Sequence, residues 1–454
     1  MKYLILAVGL LSAILVGIGT WLFGHSGNIA VTAAVIVVCA IWWVFEPIPI
    51  PVTSLIPLAV FPMCGVLTPE QLGACVGNRL VLLMMGGFML SMAMEQSGTH
   101  RRLALNMVGL FGGGASSRRL VFGFMAASAF LSMWISNAAT VLMLLPIVAA
   151  VVEKSTDHKL KVALLLGIAY SASVGGIVTP IGTPPNLVFM SVSSETFDKE
   201  YSFTEWMIWA GPIAAVMLPL IGVWLTRGLS SGASLQMPAV GKWRREEKVT
   251  LTVFAVTALL WITRQEPYGG WSQWVPEASD ATVAMLAVVV MHVIPNGRGQ
   301  TLLTWESAVK IPWGVLLLFA GGIAIARACI ESGLSQQLGE SLGAISDLPL
   351  ILMIGVVCLA VTFLTEVTSN TATATLLLPI LAATAVATGI DPRLIMIPAT
   401  ISASFAFMLP VATPPNAIVF GNGALSVQDM MRQGLVLNLL GVVVVTVVCW
   451  FFFG

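Results

Sequence analysis

The stretch TFLTEVTSNTATATLLLPI, residues 362–380, places the triplet Ser369-Asn370-Thr371 between two apolar flanks. A near copy, SMWISNAATVLMLLPI, occupies residues 132–147, and both stretches end in Leu-Pro-Ile. An amide or hydroxyl without hydrogen-bond partners in an apolar environment costs several kcal/mol. A polar sequence that occurs twice in such surroundings therefore indicates a duplicated site rather than an accident.

The composition around these stretches is that of a membrane protein. Of the 454 residues, 57% are hydrophobic and 9% are charged, whereas about 25% of the residues of a soluble domain are charged. Apolar runs long enough to cross a bilayer, about 20 residues, recur from Leu4 to Phe451 and leave no room for a soluble catalytic module. The first run, which ends at Phe23, is predicted to be a span because it is longer than the apolar part of a signal peptide, about 7 to 15 residues.

The apolar runs predict an all-α polytopic membrane protein with eleven crossings. Their approximate ranges are 4–23, 29–45, 52–66, 80–95, 163–192, 206–226, 249–264, 280–294, 313–331, 393–420 and 434–453. Regions 123–150 and 349–386 are apolar but are interrupted by the Ser-Asn pairs. Each is predicted to be a re-entrant hairpin, or alternatively two full crossings, which leaves the parity unchanged.

The distribution of Lys and Arg favours one orientation. With a cytoplasmic N-terminus, sixteen of the 21 basic residues lie in cytoplasmic segments, four lie outside (Arg79, Lys199, Arg264 and Arg393), and Arg327 lies in or near a span. Cytoplasmic loops collect Lys and Arg. We therefore expect a multi-pass protein of the cell's inner (plasma) membrane, with the C-terminus outside.

Three pairs of matching segments indicate two homologous halves. GGFMLSMAMEQSG (86–98) matches GGIAIARACIESG (321–333), Ser136 matches Ser369, and PIGTPPNLVF (180–189) matches PVATPPNAIV (410–419). Five crossings separate equivalent points, and because five is odd the halves are predicted to be inverted. The predicted halves are 1–227, with hairpin 123–150, broken helix 163–192 and span 206–226, and 249–454, with hairpin 349–386, broken helix 393–420 and span 434–453; a basic cytoplasmic linker, 228–248, joins them.

The repeated Thr-Pro-Pro-Asn, at 183–186 and 413–416, lies within long apolar runs. Two successive prolines break a helix, because proline lacks the N–H donor and clashes with the preceding turn. A break at membrane depth exposes carbonyls that can ligate a cation and helix N-termini that can hold an anion. Inverted halves with broken helices predict a secondary transporter.

The two Ser-Asn sequences are called the first tip (Ser136-Asn137) and the second tip (Ser369-Asn370-Thr371). They offer neutral hydroxyl and amide groups, which can bind both a carboxylate and a hard cation. No Lys or Arg lies near them in the sequence. A bound anion would therefore have to be neutralised by cations that bind with it.

SNAAT with GTPPN, and SNTAT with ATPPNAIVFG, resemble the paired signatures of the divalent anion/sodium symporter family, which carries dicarboxylates, citrate or sulfate. The resemblance covers nearly the whole chain. It implies Na⁺ as the coupling ion, a homodimer in the lipid bilayer, and a transport domain that moves as an elevator against a scaffold. We expect neither an organic cofactor nor a nucleic-acid partner.

The resemblance also implies ligands, position by position. A first Na⁺ site would comprise Ser132, Ser136, Asn137 and the backbone of Gly182, and a second Thr365, Ser369, Asn370 and the backbone of Ala412. The substrate would be bound by Ser136, Asn137, Ser369, Asn370 and Thr371, with Thr183, Thr413 and Pro414 closing the pocket.

The favoured function is Na⁺-coupled import of a di- or tricarboxylate, with a C4-dicarboxylate such as succinate first. A sodium-independent exchanger, a carrier of citrate or sulfate, and, from a different class, an anion channel remain alternatives. We expect no enzymatic activity, because the sequence has no His-Glu metal motif and no Ser-His or Ser-Lys constellation at membrane depth.

Glu366, three residues before Ser369, has two open interpretations. A carboxylate within a membrane segment is by default a functional candidate, for cation attraction or proton sensing. A capping or scaffold-facing role is the alternative, because its counterpart in the first half is Met133.

Ala138 stands where the family's first motif usually has Thr, so a hydroxyl expected near one carboxylate is missing. Ala138→Thr is therefore expected to shift substrate preference toward succinate, measured as competition between unlabelled anions and a labelled substrate. Unchanged competition profiles would remove Ala138 from the determinants of specificity.

Overall fold

The computed structural model describes residues 2–110, 116–154, 157–229, 241–266, 268–341 and 349–454. Within these ranges the regular structure is helical, apart from one isolated bridge between Pro295 and Thr301. Most of the predicted linker, residues 230–240, lies outside the described residues. The chain is therefore all-helical wherever it is described, as the sequence predicts.

The helices, in chain order, are α1 (Lys2–Leu22), α2 (Gly27–Phe45), α3 (Ile50–Thr53), α4 (Leu55–Met63), α5 (Pro69–Val76), α6 (Arg79–Ser97), α7 (Thr99–Leu110), α8 (Ser117–Ser132), α9 (Asn137–Lys154), α10 (His158–Gly176), α11 (Pro184–Phe197), α12 (Phe203–Thr226), α13 (Arg245–Ile262), α14 (Asp280–Val293), α15 (Trp305–Ala308), α16 (Trp313–Ser332), α17 (Leu334–Ser341), α18 (Leu350–Thr365), α19 (Asn370–Thr388), α20 (Arg393–Ser402), α21 (Pro414–Phe420) and α22 (Val427–Phe453). A 3₁₀ turn, Trp271–Gln273, precedes α14.

Within the described ranges, eight helical segments are long and apolar enough to cross a membrane, which makes the chain an integral membrane protein. They are Lys2–Leu22, Gly27–Phe45, Pro69–Ser97, His158–Gly176, Phe203–Thr226, Trp313–Ser332, Asn370–Thr388 and Val427–Phe453. Other predicted spans correspond to shorter apolar helices, such as Ile50–Met63 and Asp280–Val293. The count of eleven crossings therefore stays a prediction.

The four interrupted regions have breaks where the sequence places them. The first hairpin region consists of α8 and α9, which flank residues 133–136, and the second consists of α18 and α19, which flank 366–369. The predicted broken helices are α10 with α11, separated by the first break (residues 177–183), and α20 with α21, separated by the second break (residues 403–413). Both α11 and α21 begin on the paired prolines, because the missing N–H has no intrahelical partner at a helix start.

Helix α10 lies at the centre of the packing and is buried along almost its whole length. It contacts α8, α9, α12 and α21, so it connects the first tip with the second broken helix. Its close approach to α8 depends on Gly175, where an added Cβ would lie 2.6 Å from the Cα of Ala129. The backbone of α10 is therefore fixed against the hairpin that carries the first tip.

Two short helices, α7 and α17, were not predicted from the sequence. Each follows a repeated Ser-Gly at the end of a long helix, α6 or α16. The glycines, Gly98 (φ 72°) and Gly333 (φ 82°), adopt the left-handed conformation that commonly ends a helix. The repeated Ser-Gly was therefore a usable signal for a sharp turn, although not for the helix that follows.

Gly175→Ala is expected to lower the free energy of unfolding by about 1–3 kcal/mol, because backbone atoms of Ala129 cannot move aside as a side chain can. Gly211→Ala, in α12, is the matched control, since no heavy atom lies within 4 Å of its added Cβ. The measurement is denaturant unfolding of the purified protein in detergent. Equal stability of the two variants would contradict the packing described.

Candidate functional site

A cavity of about 680 Å³ lies where the two tips and the two helix breaks meet. All eight residues predicted to bind substrate line it: Ser136, Asn137, Thr183, Ser369, Asn370, Thr371, Thr413 and Pro414. Ala138, Gly182 and Ala412 also line it. The fold thus brings together residues that are far apart in the sequence, while their role as ligands stays a prediction.

Four described helices begin at residues that line this cavity: α9 at Asn137, α11 at Pro184, α19 at Asn370 and the short α21 at Pro414. The first turn of a helix carries free N–H groups and the positive end of the helix dipole. The paired prolines give α11 and α21 no N–H at their first two positions, so these ends contribute mainly their dipoles, whereas α9 and α19 also offer N–H groups. Together the four ends favour a bound anion without a basic side chain. Among the described residues that line the cavity there is no Lys, Arg or His.

Ser132 and Thr365, the remaining predicted Na⁺ ligands, are not part of the cavity wall. Both are fully buried, one helical turn before the Ser-Asn pairs. The Ser132 Oγ lies 2.5 Å from Asn137 Oδ1, and the Thr365 Oγ1 lies 2.9 Å from Asn370 Oδ1. Each tip therefore pairs a buried hydroxyl with an amide oxygen that belongs to a cavity residue.

In the second pair, Thr365 and Asn370, the Thr365 hydroxyl lies near two oxygen acceptors but has only one proton. The Thr365 Oγ1 also lies 2.9 Å from the carbonyl oxygen of Ala403, which the sequence analysis did not identify. The hydroxyl has a single proton to share between these two oxygens. Three converging oxygens with a single proton suit a hard cation such as Na⁺.

The first tip lies directly against the end of α10. A Cβ added to Gly176 would lie 2.5 Å from Asn137 Oδ1, so only glycine permits this approach. Gly176, like Ala403, was not among the predicted site residues. Its signal in the sequence was the Gly-Gly pair just before the break.

The asparagines of the two Pro-Pro-Asn motifs stabilise the breaks. Asn186 Nδ2, with two protons, lies within hydrogen-bond distance of three carbonyl oxygens: those of Thr179 (2.8 Å), Gly176 (3.2 Å) and Ile177 (3.2 Å). Asn416 Nδ2 donates to those of Ala406 and Leu409, both at 3.0 Å. These side chains satisfy carbonyls that the interrupted helix leaves without partners, a role that sequence reasoning missed.

Glu366 makes the contacts that the capping alternative predicts. Its carboxylate accepts hydrogen bonds from the backbone N–H groups of Met408 (2.8 Å) and Leu409 (2.9 Å), and from Asn438 Nδ2 at 2.6 Å. It is 3% exposed and is not among the described residues that line the cavity. Glu366 therefore caps the second break and fastens it to the second tip.

The first half makes the same connection with different groups. Met133, the counterpart of Glu366, accepts a hydrogen bond at its backbone carbonyl from the hydroxyl of Thr179. Thr179 and Leu409 both immediately precede the proline that opens the repeated segments 180–189 and 410–419. Tip and break are thus joined at equivalent positions in each half.

An apolar helical domain with interrupted helices around a cavity that polar tips enter has the architecture of a membrane transporter. A sequence profile of the citrate transporter family (CitMHS) matches residues 40–395. The chain belongs to this family, and the predicted resemblance to the divalent anion/sodium symporters is confirmed.

Two relatives support this assignment. A sodium-dependent dicarboxylate transporter, SdcS, of Staphylococcus saprophyticus is 40% identical over 437 residues, covering 91% of this chain and 84% of the relative. SdcS of Staphylococcus aureus is 38% identical over 473 residues, covering 98% and 90%. Both relatives are transporters, so the expectation that the chain is not an enzyme is confirmed.

A solved structure has a similar fold. The YdaH transporter of Alcanivorax borkumensis aligns with a TM-score of 0.60 and 15% identity, over 87% of this chain and 88% of that one. At this identity the likeness concerns the fold alone.

Glu366→Gln is expected to destabilise the protein by about 1–3 kcal/mol, because an amide has only one acceptor oxygen and leaves a buried backbone N–H unpaired. Thermal unfolding in detergent measures the effect. Glu306→Gln, at an exposed position of α15, makes the same chemical change and should have no measurable effect. Matching unfolding temperatures for the two variants would refute the capping role.

Proposed function

We propose that the protein is a secondary active transporter that imports a C4-dicarboxylate such as succinate together with Na⁺. The observation that carries the proposal is the cluster of three oxygens with one proton at Thr365, next to a cavity whose described wall contains no basic side chain. Such a cavity needs cations from solution to neutralise a dianion. The two SdcS relatives are sodium-dependent dicarboxylate transporters, which supports both the ion and the substrate class.

In this proposal each tip contributes both to substrate binding and to a Na⁺ site. Ser136 and Asn137 of the first tip, and Ser369, Asn370 and Thr371 of the second, hold the two carboxylates by hydrogen bonds. Thr183, Thr413 and Pro414 close the cavity. Ser132 with Gly182, and Thr365 with Ala412, complete the two Na⁺ sites behind the tips.

The membrane potential explains why the cations would be coupled to the substrate. Moving a dianion inward against 100 mV costs about 4.6 kcal/mol, from about 2.3 kcal/mol per charge. Two Na⁺ ions cancel this cost, and a third makes uptake electrogenic. Coupling to sodium thus turns an unfavourable import into a favourable one.

We also propose the inverted halves, 1–227 and 249–454, eleven crossings, a homodimer and an elevator motion, with a cytoplasmic N-terminus and an external C-terminus. The matching links between tip and break in the two halves support the repeat. Because each tip is fastened to its own break, the four elements are suited to move as one body.

The first experiment is uptake of labelled succinate into proteoliposomes. External Na⁺, but not K⁺, should drive accumulation into vesicles that contain no dicarboxylate. Uptake that needs only internal dicarboxylate would instead establish an exchanger, and single-channel current steps would establish a channel. Competition by citrate and sulfate would reveal a carrier of another anion.

Thr365→Ala is expected to raise the Na⁺ concentration for half-maximal uptake about fivefold to thirtyfold, the effect of losing roughly 1–2 kcal/mol of ligation. Thr362→Ala is the matched control, because Thr362 is also buried on α18 and its hydroxyl has no hydrogen-bond partner among the described residues. Equal Na⁺ dependence in the two variants would exclude Thr365 as a cation ligand.

A further inference from the structure

Glu46 lines the same cavity and is the one charged residue among the described residues of its wall. It follows α2 directly, and its side chain is exposed. Within the described part of the chain, no hydrogen bond or ion pair involves its carboxylate. The sequence analysis did not single it out.

The position of Glu46 is unfavourable for a glutamate in two respects. Its backbone is left-handed, with φ 45° and ψ 48°, a conformation that residues with a Cβ rarely adopt. It also caps the C-terminal end of α2, where the helix dipole favours a cation and disfavours an anion. A residue that violates two local preferences at a cavity wall is a candidate for function.

The cavity surface that holds Glu46 is built by α2, α3 and α16. Ile50, Pro312 and Val315 line the cavity with it, and a Cβ on Gly321 of α16 would lie 2.6 Å from the carbonyl oxygen of Ser54. Helix α16 therefore packs closely on the segment after Glu46. This packing supports the segment that places Glu46 at the wall of the cavity.

A fixed negative charge in an anion cavity has an electrostatic consequence. Without cations, a dianion meets Glu46 and no compensating side chain, so its binding is opposed. When two Na⁺ ions bind together with the dianion, the attraction of Glu46 for the cations offsets its repulsion of the anion. The charge therefore penalises the anion most when sodium is absent.

On the basis of the proposed function, we propose that Glu46 is a coupling residue, whose charge makes dicarboxylate binding depend more steeply on Na⁺ and so suppresses sodium-free transport. It acts through the field in the cavity and need not touch the substrate. The role differs from that of the tips, which bind the ions directly.

The test is equilibrium binding of labelled succinate to the purified protein at low and high Na⁺, with K⁺ keeping the ionic strength constant. Glu46→Gln is expected to tighten binding at low Na⁺ about tenfold, and to change it much less at high Na⁺, because a nearby charge has been removed. Glu46→Asp keeps the charge and tolerates the left-handed backbone, so it should retain the wild-type sodium dependence.

Asp198→Asn is the matched control. Asp198 is the other non-glycine residue with positive φ in the described chain (φ 50°), it is exposed, and it does not line the cavity. Its neutralisation should leave the sodium dependence unchanged. An equal effect of Asp198→Asn would overturn the assignment to Glu46.

The outcomes separate the two proposals. Wild-type binding that ignores Na⁺ overturns the proposed function and the role of Glu46 with it. Sodium-dependent wild-type binding that Glu46→Gln leaves unchanged overturns only the role of Glu46. If Glu46→Gln does not fold, Glu46→Gly removes the same charge and relieves the left-handed backbone, and the same expectations apply to it.

Discussion

The interrupted backbone between α10 and α11, and between α20 and α21, is the constraint on which the site depends. Peptide groups freed from a helix inside an apolar domain must find partners, because neither lipid nor an apolar core supplies them. Asn186 and Asn416 provide these partners from within the breaks themselves. The breaks can therefore remain open at the cavity without collapsing into regular helix.

The hairpin regions supply further hydrogen-bond partners for the backbone of the breaks. These hydrogen bonds join each tip to its break. In the first half a threonine hydroxyl reaches a backbone carbonyl, and in the second a carboxylate accepts two backbone N–H groups. Charge-assisted hydrogen bonds are stronger than neutral ones. The link in the second hairpin region is therefore charge-assisted and that in the first is neutral, and the second tip has Thr371 where the first has Ala138. The two hairpin regions thus share a link to a break but differ in its chemistry.

Much of this site follows from local sequence chemistry. Paired prolines and polar tips within apolar runs have consequences that depend on a few neighbouring residues, so the breaks, the tips and the cavity residues could be predicted. The carbonyl of Ala403, the function of Glu366 and the presence of Glu46 could not, because each depends on contacts between segments far apart in the chain. Helices α7 and α17 were missed because short amphipathic helices lack the hydropathy signal that reveals spans.

The most direct test of this account is a structure determined with Na⁺ and succinate bound. The account predicts succinate between the two tips, one carboxylate at each, and a cation ligated by the Thr365 hydroxyl and the Asn370 amide oxygen. Succinate bound outside this cavity, or a Thr365 cluster without a cation at saturating sodium, would contradict it.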